Sequence, residues 1–119
     1  MDLCDQESAG RAALDVVVEE RLPERAARLG ALALARLRDG LAGAAHVKEV
    51  RGRGLMLAVQ FQRDIARPVA EALAREAAVL CKDTRGHTIR FLPPLVTPED
   101  VLLDAVERML PVLARSSCQ

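Results

Sequence analysis

The chain has 119 residues, half of them hydrophobic but only two aromatic, Phe61 and Phe91, so its core must be built from Ala, Leu and Val. Seventeen basic residues balance seventeen acidic ones, and this neutral total argues against nucleic acid or an anionic membrane as a partner. Three scattered cysteines (Cys4, Cys81 and Cys118) and two isolated histidines (His46 and His87) give neither a disulfide framework nor metal-ligand spacing, and they point to a reducing compartment.

In chain order, residues 1–8 are a polar, acidic lead-in with Ser8 or Asp5 as a helix cap. Ala9, Ala12, Ala13, Val16 and Val17 then form a one-sided helical stripe that runs to about Arg21. Leu22-Pro23 breaks it, and Pro23-Glu24 opens a second helix. This helix turns Ala26, Leu29, Gly30, Ala33 and Leu37 inward and Arg25, Arg28, Arg36 and Arg38 outward, and it ends near Asp39-Gly40.

A small-residue connector over 41–45 leads to two strands, 46–50 and 55–61. In the second, Leu55, Leu57, Val59 and Phe61 share one face while Met56, Ala58, Gln60 and Gln62 share the other. Arg51-Gly52-Arg53-Gly54 reads as the turn or bulge between them, with glycines where φ must be positive. As a phosphate cradle or an RNA-binding segment the tetrad is too short and lacks aromatics.

Residues 63–67 form a loop, and Pro68 starts a third helix with the stripe Val69, Ala70, Leu73, Ala74 and Ala77. Val79-Leu80-Cys81 reads as a short strand, and Arg85-Gly86 as a turn. Thr88-Ile89-Arg90-Phe91-Leu92 is a strand with Ile89 and Phe91 on one face and Thr88 and Arg90 on the other. Pro93-Pro94 must end it, because proline cannot donate to the ladder. Thr97 caps the last helix with Pro98 at its first position, and Val101, Leu102, Ala105, Met109 and Leu113 face inward. Pro111 should kink its end, and the tail 116–119 should fray.

The order helix, helix, strand, strand, helix, strand, strand, helix predicts an α+β, two-layer single domain over 1–119. Its sheet should be small and mainly antiparallel, with helices on one face. A leader pattern and an apolar run of about eighteen residues are both missing from the sequence, which predicts a soluble intracellular chain, cytoplasmic or mitochondrial.

Arg90 stands alone on an apolar strand before a stiff exit. It can be an edge-strand arginine paired with a surface carboxylate, or a fixed fork that grips a carboxylate at the lip of a pocket. The run Thr88-Ile89-Arg90-Phe91-Leu92-Pro93-Pro94-Leu95-Val96-Thr97-Pro98-Glu99-Asp100 resembles the end of class III pyridoxal-phosphate aminotransferases, nearest the ornithine aminotransferase branch. Supporting places are Ala12-Ala13-Leu14-Asp15-Val16 with Glu19-Glu20-Arg21-Leu22, the run Val50-Arg51-Gly52-Arg53-Gly54-Leu55-Met56, and the spacing of 75–82 to Arg90. Ala78 stands where the family has a helix-ending glycine and Asp83 where it often has proline, so a different local turn is expected. Residues 1–8 do not look like the family's approach to this domain, which predicts an unusual start or junction.

The resemblance implies the small C-terminal domain of fold-type I pyridoxal-phosphate transferases, with Arg90 as the substrate-binding residue. It implies amino transfer from ornithine or a related diamino acid to a 2-oxo acid, in a homo-oligomer. The catalytic lysine, the acidic partner of the pyridine nitrogen and the phosphate cup lie in the family's large domain. Lys48 and Lys82 match none of these. Catalytic, cofactor-binding and metal residues are therefore expected nowhere in this chain, which should bind no pyridoxal phosphate and be inactive alone. The alternative is a non-catalytic interaction module docking on a partner chain through the face a large domain would cover.

Overall fold

The computed structural model describes residues 3–115, with side chains from residue 6 onward. The side chains of Cys4 and Asp5, and the tail 116–119 with Cys118, lie outside the described residues. The elements are α1 (Leu3–Glu19), α2 (Leu22–Gly40), β1 (Val47–Arg53), β2 (Met56–Phe61), α3 (Ala66–Ala72), β3 (Lys82–Thr84), β4 (Thr88–Phe91) and α4 (Glu99–Arg115).

The strands form one antiparallel sheet in the order β1-β2-β4-β3. Alternation sends Val50, Leu57, Val59, Phe61, Ile89 and Phe91 to one face, where all are buried. Against them lie Leu29, Ala33 and Leu37 of α2, Val69 and Leu73 from the α3 region, and Leu102, Val106, Met109 and Leu113 of α4. With so few aromatics, alanines let the layers approach closely. Among the described residues no helix is long and apolar enough to cross a membrane.

Several boundaries differ from the sequence reading. Helix α1 begins at Leu3 and ends at Glu19, so Ser8 lies inside it rather than capping it. Its stripe is uncovered: Ala9, Ala12, Ala13 and Val16 are exposed and Val17 is half-buried. β1 extends through Arg53, and of the two tetrad glycines only Gly54 has positive φ, at 57°. Gly52 is a strand residue, and a Cβ there would lie 2.6 Å from Leu57 Cδ2, so the Leu57 side chain would have to shift.

Helix α3 begins at Ala66, placing Pro68 in the first turn, where no intrahelical N–H is lost. A π-helical turn over Leu73–Ala77 follows and rotates the stripe, so Ala72 is buried while Ala74 is exposed. Residues 79–81 are not a strand. The Val79 N–H closes the helix end on Leu73 O (3.1 Å), and extended pairing begins at Lys82. Leu80 is left 86% exposed. Ala78 adopts φ 56°, the left-handed conformation in which a helix-ending glycine usually sits, so the turn is kept without the glycine.

At α4 the cap shifts by one residue. Pro98 O accepts the first helical bond, from Leu102 N (3.0 Å), while the Thr97 hydroxyl donates to Pro94 O (2.7 Å). Val101 is exposed, and Val106, Leu110 and Val112 join the inward face. The helix continues through Pro111 to Arg115.

The outward arginines of α2 are bound rather than merely solvated. Arg25 donates to Leu95 O (2.6 Å) and to Thr97 O, Arg28 pairs with Glu99, and Arg36 pairs with Glu107. The Arg36 hydrogen bond holds the Glu107 carboxyl below its ordinary range. Arg38 donates to Val50 O (3.0 Å), joining α2 to β1. The Arg25 bonds hold the exit loop after β4 against α2, and Arg28 holds the start of α4.

Candidate functional site

The sheet face opposite the helices carries Arg51, Arg53, Met56, Ala58, Gln60, Thr88 and Arg90, and with the turn residues Arg85 and His87 it forms an open groove of about 790 Å³. Arg90 lies in its wall. β4 is an interior strand, which removes the edge-strand reading, and Arg90 makes no ion pair among the described residues.

Register sets the neighbours of Arg90. Ala58 lies opposite it on β2 and Lys82 opposite it on β3. Ala58 in turn faces Arg51 on β1. Arg51 donates to Gln60 Oε1 (2.9 Å) and pairs with Glu49 (3.3 Å). The lining itself contains no carboxylate, so the groove is locally basic although the chain is neutral overall. Charge balance taken over the whole sequence hid this patch, because most acidic residues sit elsewhere and Glu49 touches it only through Arg51.

The Arg85-Gly86 turn frames one end of the groove. Both residues have positive φ, 54° and 76°. Gly86 O accepts from Ala66 N (3.0 Å) and His87 O from Phe61 N (2.7 Å), so the turn is anchored to the body. His87 Nδ1 contacts the Thr88 hydroxyl at 2.9 Å, and Thr88 is buried on the groove side.

The second histidine is structural. His46 is buried, stacks on Phe61 with ring centroids 6.2 Å apart, and donates from Nε2 to Leu113 O at 2.6 Å. It ties the start of β1 to the last turns of α4. Burial pushes the half-buried Cys81 thiol up to about 11. Among the described residues no group of His, Cys, Asp or Glu could hold a metal ion.

Chemically, the groove can bind a small anion, and His87 is the one imidazole in its lining. Its lining has no lysine to hold pyridoxal phosphate covalently and no carboxylate for a pyridine nitrogen. Lys48 and Lys82 are both exposed on strands and neither lines it. The lining of the groove therefore does not fit that cofactor.

The family model for class III aminotransferases matches residues 6–113. The chain is 46% identical over 103 residues to an ornithine aminotransferase from Geobacillus sp. (strain WCH70), covering 87% of the chain and 25% of that protein. It is 41% identical over 100 residues to an acetylornithine aminotransferase from Methanothermobacter thermautotrophicus, covering 84% of the chain and 25% of that protein. It superposes on the ornithine aminotransferase of Toxoplasma gondii ME49 with a TM-score of 0.81 at 40% identity, covering 90% of the chain and 26% of that structure. The chain thus spans about a quarter of the length of the curated relatives it matches. On the family match and these identities, the chain belongs to the class III aminotransferases.

Proposed function

We propose that this chain is the carboxylate-binding small domain of an ornithine-type aminotransferase. In the complete enzyme an amino group passes from ornithine or a related diamino acid to a 2-oxo acid. The observation that carries this reading is Arg90, a guanidinium with no ion pair among the described residues, in a basic groove on an interior strand. Guanidinium stays charged and offers two parallel donors, the geometry a carboxylate accepts. Pyridoxal phosphate and its lysine belong to a large domain outside this chain, and by itself the chain is inactive.

A graft tests the reading. This chain replaces the matching quarter of the Geobacillus ornithine aminotransferase, and amino transfer is followed with Arg90 and with Arg90→Lys. An active graft whose KM for the oxo acid rises on Arg90→Lys supports it. An active graft indifferent to that substitution refutes it. Separately, borohydride reduction of the chain with pyridoxal phosphate should leave no single lysine stoichiometrically labelled, as read by intact mass.

Leu14, Val18, Leu92 and Val96 are exposed, which favours a second reading in which the chain docks on a partner chain. Light scattering separates the two: a monomer that captures no partner counts against docking.

A further inference from the structure

Three cations of the open face, Arg51, Arg90 and Lys82, stand in one row. Arg51 pairs with Ala58, Ala58 with Arg90 and Arg90 with Lys82, so four strands contribute one residue each to a line across the sheet. At a strand spacing of ~4.8 Å, Arg51 and Arg90 stand about 10 Å apart on either side of Ala58. The alanine methyl leaves a notch between two long cationic side chains.

Two further observations bear on that notch. Like charges directly opposite each other repel, and Lys82 opposes Arg90 with no carboxylate of the described residues paired to either. The Arg51 guanidinium contacts Gln60 and Glu49, the pair next along the strands from Ala58, so it has only one register step to turn to reach an anion over the notch. An anion seated over Ala58 would meet Arg90 on one side and Arg51 on the other, and would relieve the repulsion along the row.

We propose that Arg51 is a second carboxylate-binding residue, which together with Arg90 clamps one small carboxylate over the Ala58 notch. This rests on the reading of Arg90 as the substrate-carboxylate residue. Arg90 supplies a fork with no ion pair among the described residues, Arg51 supplies a second guanidinium across Ala58, and Ala58 supplies the space. Lys82 adds charge from the edge strand. Glu49 competes with the acid for Arg51.

The test is titration of the isotope-labelled 119-residue chain with 2-oxoglutarate at low salt, read from the Ala58 backbone amide resonance and the dissociation constant. Arg90→Ala should abolish binding, and Arg51→Ala should weaken it about ten-fold. Arg51→Lys should recover part of that loss, keeping the charge without the fork. Ala58→Leu should weaken binding with every charge in place. Arg11→Ala, which removes one charge from α1, should change nothing. If Arg51→Ala or Ala58→Leu binds like the unmodified chain while Arg90→Ala does not, the clamp is overturned and the single-arginine reading stands. If Arg90→Ala binds unchanged, or the unmodified chain does not bind, both are overturned.

Discussion

Gly30 in the middle of α2 faces the Gly54 carbonyl so closely that a methyl built on Gly30 would stand 1.9 Å from that oxygen. The contact seats α2 on the β1–β2 hairpin. Alanine in a helix interior ordinarily gains about 1 kcal/mol over glycine. Here the clash is with backbone and cannot be relieved by a rotamer change. Gly30→Ala should therefore destabilise the chain by about 3 kcal/mol, measured as a lower urea midpoint at unchanged slope. A stabilised variant would mean that the helix does not sit on the turn.

Ala78 presents the opposite case. Its φ of 56° costs an alanine about 1–2 kcal/mol, and glycine removes that strain. After subtracting the greater unfolded-chain entropy of glycine, Ala78→Gly should raise stability by about 0.5–1 kcal/mol. Ala74→Gly, on an exposed helical residue four positions earlier, should lower it.

Arg25 bridges α2 to the Leu95 and Thr97 carbonyls. Arg25→Ala should cost about 1–2 kcal/mol, given that the site is partly exposed. It should also speed hydrogen exchange at the Thr97 amide, which donates to Pro94 O. Arg25→Lys keeps the charge but not the fork, and should restore less than half of the loss. Equal exchange rates in all three proteins would show that the loop is held by its prolines alone.

Cys81 sets a pH dependence. Its folded pKa is raised by burial from 9.0 to about 11, so the neutral thiol is the form the fold accommodates. The corresponding stability is fully present below pH 9 and lost as pH rises through about 11. In a Cys4→Ser, Cys118→Ser background, alkylation of Cys81 by iodoacetamide at pH 8 should run about a hundred-fold slower than that of a free thiol. Unfolding in urea should abolish the difference.

Much of this architecture was legible from period alone. The inward faces of α2 and β2, at Leu29, Ala33, Leu57 and Phe61, follow directly from helical and strand spacing. The end of α3 did not, because a π turn changes the period within one helix and leaves no mark in composition. Residues 79–81 have strand-like side chains, but the Val79 N–H was already committed to Leu73 O. Arg90 was singled out as a lone charge on an apolar strand. Arg51 was absorbed into a glycine-rich turn, since its place beside Ala58 depends on register, a long-range property. The arginines of α2 read as solvent-facing because their acceptors, among them the Leu95 carbonyl and Glu99, lie some seventy residues away.

The strand order carries a consequence for how the molecule comes together. β1 and β2 form one local hairpin, β3 and β4 another, and the two meet only along the β2–β4 ladder, where Leu57 faces Phe91 and Val59 faces Ile89. Arg51 and Ala58 arrive with the first hairpin, Arg90 and Lys82 with the second. The groove is thus a seam, absent until a non-local and comparatively slow pairing has closed. An acid that binds there recognises only the joined state, and by mass action should hold the two hairpins together.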